Sequence, residues 1–322
     1  MLGPKRRAVP VAAVLITLLV GCGTQQGGGA STVSAGKGGS TSESDGRGAA
    51  TVRSALSSLP TAPTEGLAKG LKLPLEQYRA APVDAYAWQV AIQQQWRSCM
   101  ARYGIEDFGP PPVAEATVEA QVNAATGRRY GISNVEQAQK FGYHLPNDPP
   151  SPPHWEPKPG LETAIFTGSG PEITDGTHAG KAVPAGGCRS EAAAKFPVPR
   201  SPEADDLDAT VFEQSKSDPD VVAAVDAWSS CMKKAGFERS HPLEDLSFYV
   251  SSAEPGNDEI TQAVTDVRCK EEARLIDIWS AEESARQEQA IKMGSLKLTK
   301  EKALKDSNAS KARQAYQKAV KR

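Results

Sequence analysis

The sequence predicts a mostly α-helical protein: a duplicated, disulfide-stapled helical unit with a long Pro/Gly-rich insert in its first copy and a long C-terminal helical segment. Three observations lead there. Four cysteines beyond residue 22 lie in two repeated motifs, and the apolar residues around them fall at helical spacing. The chain after Asp258 is rich in Glu, Lys, Ala, Gln and Arg and has no proline. Aromatics at 6% and hydrophobics at 39% fit a small helical domain with long polar connections better than a large β-rich one.

At the N-terminus, Lys5, Arg6 and Arg7 precede an apolar run from Ala8 to Val20. A run of roughly a dozen residues matches an export signal, whereas a spanning helix needs about 20. The run closes on Leu19, Val20, Gly21 and Cys22, which resemble a bacterial lipobox, with small residues opening the cleavage site ahead of the thiol. That resemblance implies a leader over 1–21, a lipidated Cys22, and a location on the outer face of the cytoplasmic membrane. Membrane lipid joined through Cys22 is the first expected partner. Residues 22–75 are mainly Gly, Ser, Thr and Ala and are expected to form a disordered tether, because they bury too little to offset ordering entropy. The helical extracytoplasmic domain is expected over 76–322.

Removing Lys5, Arg6 and Arg7 with the leader takes the formal net charge from −2 to −5, so no global nucleic-acid footprint exists and nucleic acid is not an expected partner. The charge is uneven. Glu203, Asp205, Asp206, Asp208, Glu213, Asp218, Asp220 and Asp226 face only Lys216 across 201–228, while the stretch from Lys292 to Arg322 is strongly basic.

The repeat is read from its residues. Trp96, Cys99, Met100, Gly104, Ile105 and Glu106 recur as Trp228, Cys231, Met232, Gly236, Phe237 and Glu238. Cys188, Arg189, Glu191 and Ala192 likewise parallel Cys269, Lys270, Glu272 and Ala273. Copy one thus spans 80–196 with an insert over 108–187, and copy two spans 216–280. Pro82 and the pair Asp218–Pro219 open the first helix of each copy, and Gly104 and Gly236 close them. Trp and Cys at i, i+3 share a helix face, so an indole should pack on each sulfur. Four cysteines in an exported chain read as two disulfides, and symmetry admits all three pairings. Cys99–Cys188 with Cys231–Cys269 is preferred, because it joins matching halves over the shorter loops.

Within the insert, a short helix is expected over 134–141, opened by a Ser133 and Glu136 capping box and stopped by Gly142. The proline run from Pro146 to Pro159 is expected to leave His154 and Trp155 exposed, and the insert as a whole reads as a surface wrap. The C-terminal stretch reads as one long helix or two, broken near Gly294 or Ser307. Its basic tail, 281–322, is expected to be too polar to pack on the core; its cations are expected to be solvated, or to meet anionic lipid or wall polymer.

Several short motifs appear in order. Arg129, Tyr130 and Gly131 precede Gly142, Tyr143 and His144; Pro184, Gly186, Gly187 and Cys188 precede Glu191 and Ala192; Asp266, Cys269 and Lys270 precede Leu275, Trp279, Glu282 and Gln287. Together with the paired WxxCM and C[RK]xEA motifs, they resemble a group of secreted and lipid-anchored actinobacterial lipoproteins. The resemblance covers about residues 80–320. It implies an envelope location and a disulfide framework, and no particular chemistry.

Catalytic signatures are sparse. His144, His154, His178 and His241 lack zinc spacing, no CxxC is present, and neither a nucleophile elbow nor a phosphate loop occurs, so no metal and no cofactor is expected. Trp96 and Trp228 with Glu191 and Glu272 form the candidate pocket, since the two glutamates are the carboxylates equivalent in both copies. The reading that follows is a non-enzymatic binding or accessory protein of the cell envelope, contacting wall polymer or another envelope protein. The alternatives are a wall-modifying hydrolase using Glu191 and Glu272, and a purely structural spacer.

Overall fold

One helix organises the chain. The computed structural model describes residues 56–111, 113–146, 155–244 and 254–320. Its last element, α9 (Leu275–Val320), runs unbroken for 46 residues, about 70 Å at 1.5 Å per residue. Cys22 and the rest of residues 1–55 lie outside the described residues, as does His154. Among the described residues no helix is long and apolar enough to cross a membrane.

Before α9 come α1 (Pro82–Ala101), α2 (Ala116–Ala125), α3 (Val135–Phe141), α4 (Leu161–Thr167), α5 (Gly187–Lys195), α6 (Pro202–Ser215), α7 (Pro219–Lys234) and α8 (Asn257–Glu272). A two-residue antiparallel hairpin pairs β1 (Thr177–His178) with β2 (Lys181–Ala182). The predicted punctuation sets the ends of α1 and α7. Pro82 and Pro219 occupy the first turns, and the Asp218 carboxylate accepts the Asp220 N–H. Gly104 (φ 76°) and Gly236 (φ 91°) then reverse the chain, and Ile105 and Phe237 donate back to Met100 and Met232. Cys99 is bonded to Cys188, joining α1 to α5, and Cys231 to Cys269, joining α7 to α8; both pairs have a Cα–Cα distance of 5.6 Å.

Four expectations are corrected. The C-terminal stretch does not break at Gly294 or Ser307. The helix runs through Gly294 despite the roughly 1 kcal/mol a glycine costs inside a helix; a Cβ there would lie 3.6 Å from Leu298 and 3.7 Å from Leu207 of α6. The one sharp junction is upstream, where Arg274 at φ 51° turns α8 into α9.

Nor is the tail too polar to pack. Ile276, Trp279, Glu283, Gln287, Ala290, Leu298, Lys305, Ala309, Ala312 and Tyr316 form a buried seam along α9 at helical spacing. Its first half rests against α6 and α7, and its second half against α1. There Ala91 and Phe196 meet Ala312, and the Tyr86 and Tyr316 rings meet edge-on at 5.6 Å.

The expected tether also ends too late. From Leu56 onward the chain is packed: Ala68, Leu73 and Leu75 are buried, and Leu67 donates to the Ser133 carbonyl. Gly66 lies so close to that carbonyl that a Cβ there would sit 2.7 Å from its oxygen. Few apolar residues suffice because this segment fills gaps between helices rather than forming a core of its own.

Finally, the insert is not a surface wrap. Val118, Val122, Tyr130, Ile132, Ala138 and Tyr143 are buried, and α3 packs on α8. The cap of α3 is Asn134, whose side chain accepts from Gln137, whereas Ser133 donates to the Gly127 carbonyl. Trp155, expected to be exposed, is half-buried against Phe108, Trp96 and Phe166.

Candidate functional site

The motif residues converge on two polar networks, the first reaching the surface at Arg79 and Asp205 and the second buried. The first joins the insert to α6 and α9. Arg129 grips Glu283 with two guanidinium nitrogens, and reaches Asp208 through Nη1 at 3.2 Å and Nη2 at 3.0 Å. Tyr130 donates to Glu283 at 2.8 Å, and Gln287 donates to both carboxylates while accepting the Leu75 N–H. Arg79 closes the ring on Asp208 and Asp205. The Arg129 guanidinium also lies 4.7 Å from the Phe212 ring centroid. Burial works against the Arg129 charge, but Glu283 and Asp208 outweigh it and raise the guanidinium above its ordinary value.

The second network lies beside the Cys231–Cys269 disulfide. Asp266 Oδ1 accepts the Trp228 indole N–H at 2.8 Å and pairs with Lys270 at 2.9 Å, while Oδ2 accepts the Tyr143 hydroxyl at 3.3 Å. Lys270, at 0% exposure, also donates to the Ile132 carbonyl. Burial lowers its pKa, partly opposed by Asp266. Two glycines make this packing possible. A Cβ at Gly131 would meet the Lys270 ammonium at 2.7 Å, and one at Gly142 would collide with the Glu259 carboxylate that accepts the Tyr143 N–H.

Copy one has no counterpart of this network. The position three residues before Cys188 is Ala185, where copy two has Asp266, and the Trp96 indole N–H is buried without a hydrogen-bond partner. Trp96 instead joins an aromatic cluster over Cys99–Cys188, stacked with Trp155 at 6.5 Å and edge-on to Phe166 at 5.3 Å. Arg189, the counterpart of Lys270, is exposed. Each tryptophan therefore belongs to the apolar cluster around its own disulfide.

The candidate carboxylates stand apart from one another in role. Glu191 is half-buried, pairs with Arg102 and accepts from Gln95, while Arg102 also donates to Cys99 Sγ. Glu272 is exposed, 3.6 Å from Cys231 Sγ, a disulfide sulfur with no proton to give. Three open clefts of about 480, 180 and 400 Å³ mark the surface, and Trp96, Trp228, Glu191 and Glu272 line none of them. Asp218, Asp220 and Glu282 bring carboxylate oxygens within 4.8 Å, but Asp218 is already engaged by Arg286 and by the start of α7.

Sequence reasoning passed over Asp266, Lys270, Arg129, Tyr130, Glu283 and Gln287 as working residues. Most of them lay in the short motifs quoted for the family resemblance, and that ordering was the available signal. Against known proteins, the chain matches no family model, no curated protein and no solved structure.

The networks predict an alkaline limit to stability. Burial and the neighbouring carboxylates raise the phenol pKa values of Tyr130 and Tyr143, and burial and Glu115 raise that of Tyr316. A phenol with a raised folded-state pKa contributes stability below its unfolded value of about 10, and that contribution is lost as pH climbs above it. Lys270 acts in the opposite sense over the window below 10.5, because its folded-state value is depressed. With three phenols against one amine, stability is expected to fall steeply above about pH 10. In an ultraviolet titration of the seven tyrosines, the full phenolate amplitude should be reached only together with unfolding, because these three ionise last; full amplitude with the far-ultraviolet circular dichroism intact would contradict this.

Proposed function

We propose that this protein is a lipid-anchored, extracytoplasmic binding or accessory protein of the cell envelope, held to the membrane through Cys22 and without catalytic activity of its own. The observation that carries the reading is the pair of disulfides, with Cys99, Cys188 and Cys269 almost fully buried. Such staples form and persist outside the reducing cytoplasm. The lipobox-like end of the apolar leader supplies the address. A non-catalytic role draws support from the buried polar groups Asp266, Lys270, Glu283 and Gln287, which are engaged with one another and with neighbouring side chains.

Metabolic labelling with a fatty-acid probe tests the address. The wild-type chain should take up the label and Cys22→Ala should not; an unlabelled wild-type chain with reduced cysteines would end the reading. Crosslinking in cells followed by pull-down should recover a specific envelope protein or polymer. A Glu191→Gln/Glu272→Gln variant that lost a wall-lytic phenotype would instead favour a hydrolase.

A further inference from the structure

The solvent side of α9 from Met293 onward differs from the rest of the surface. Six large apolar side chains are exposed among the described residues, and Met293, Leu296 and Leu304 are three of them, Leu296 at 90%. The order Met293, Leu296, Lys300, Leu304, Lys311 advances by one or two helical turns at each step, so these side chains share one face. That face points away from the seam that packs on α1 and α6.

Its charges are available. Lys292, Lys300, Lys311 and Lys318 make no ion pair among the described residues. Three of the acids nearby are already engaged, Glu203 by Lys297, Glu301 by the Ser201 hydroxyl and the Glu203 N–H, and Asp306 by Lys302 and Lys305; the exposed Glu288 lies one turn before Lys292. Asp206 of α6 also acts on this region, through Lys297.

We propose that this face of α9 lies on an anionic lipid bilayer, with Met293, Leu296 and Leu304 among the upper acyl chains and the four free lysines on headgroup phosphates. A second copy of the chain would oppose lysine to lysine. A soluble phosphate-rich polymer would satisfy the lysines and leave the apolar side chains in water, so only an anionic bilayer uses both halves of the face. The inference rests on the envelope reading for its setting, since that reading places the domain beside such a surface.

The test uses the chain from residue 22 with Cys22→Ser, so that neither leader nor acyl group contributes. Sedimentation with vesicles of phosphatidylglycerol and phosphatidylcholine is expected to carry the protein down, while pure phosphatidylcholine vesicles leave it in solution. Leu296→Gln/Leu304→Gln and Lys300→Gln/Lys311→Gln should each weaken partitioning about tenfold or more, with circular dichroism unchanged because all four side chains are exposed. No binding to the anionic vesicles would overturn the proposal. So would binding that the leucine substitutions leave intact, which would assign the face to a polyanion. Because the acyl group is absent, failure here leaves the fatty-acid labelling result untouched, and the two claims fall separately.

Discussion

Replacing Asp266 with alanine is expected to cost about 3–5 kcal/mol of folding stability, the range for removing one partner of a buried ion pair. Its carboxylate is the common acceptor for Trp228, Lys270 and Tyr143, and both it and Lys270 are almost fully buried. Truncation leaves an ammonium, an indole N–H and a phenol facing an apolar gap beside the Cys231–Cys269 disulfide. A companion variant separates charge from packing. Asp266→Ala/Lys270→Met removes both ions and should recover a large part of the loss, because the uncompensated cation is gone. Urea unfolding followed by circular dichroism reads both. A loss below about 1 kcal/mol in the single variant would mean that water enters and solvates Lys270.

Removing the Cys99–Cys188 bridge as Cys99→Ala/Cys188→Ala is expected to cost about 4–5 kcal/mol, and removing Cys231–Cys269 about 4 kcal/mol, in the chain-entropy account of cross-links. The ordering follows from loop length: 89 residues separate the first pair and 38 the second. The loops neither nest nor overlap, so the losses should nearly add. The first bridge has a second duty, since it sits beneath Trp96, Phe108 and Phe166, and its loss also opens an apolar space. Denaturant midpoints under matched conditions measure the two. A cost under about 1 kcal/mol for either would show that the unfolded chain gains little freedom when the bridge is cut.

The parts of this architecture legible in the sequence are those with local causes. Pro82, Pro219, Gly104 and Gly236 mark helix ends because their backbone preferences act within a turn. The paired Trp and Cys residues announce the stapled helices because they repeat. What stayed hidden depends on partners far away along the chain. The seam of α9 carries Glu283, Gln287 and Lys305 at buried positions, and a search for apolar periodicity reads such residues as solvent-facing. Their partners are Arg129, Tyr130, the Leu75 N–H and the Gln77 carbonyl, all far upstream. The buried role of the insert was obscured for the same reason: its Gly and Pro content suggested a loop, yet Gly131 and Gly142 are the positions where only a missing side chain lets Lys270 and Glu259 approach. The candidate carboxylates were chosen by their symmetry between copies, whereas the polar group that matters most beside a disulfide, Asp266, has only Ala185 as its counterpart in the other copy.

The long spine also sets a timetable. Among the described helices α9 comes last in the chain, yet α1, α6, α7 and the turn at Pro74–Tyr78 all lean on it. During synthesis those earlier pieces wait with their inner faces uncovered, and the thiols of both pairs become available before the scaffold that orients them exists. Until α9 docks, the inner faces of α1, α6 and α7 have nothing to close on.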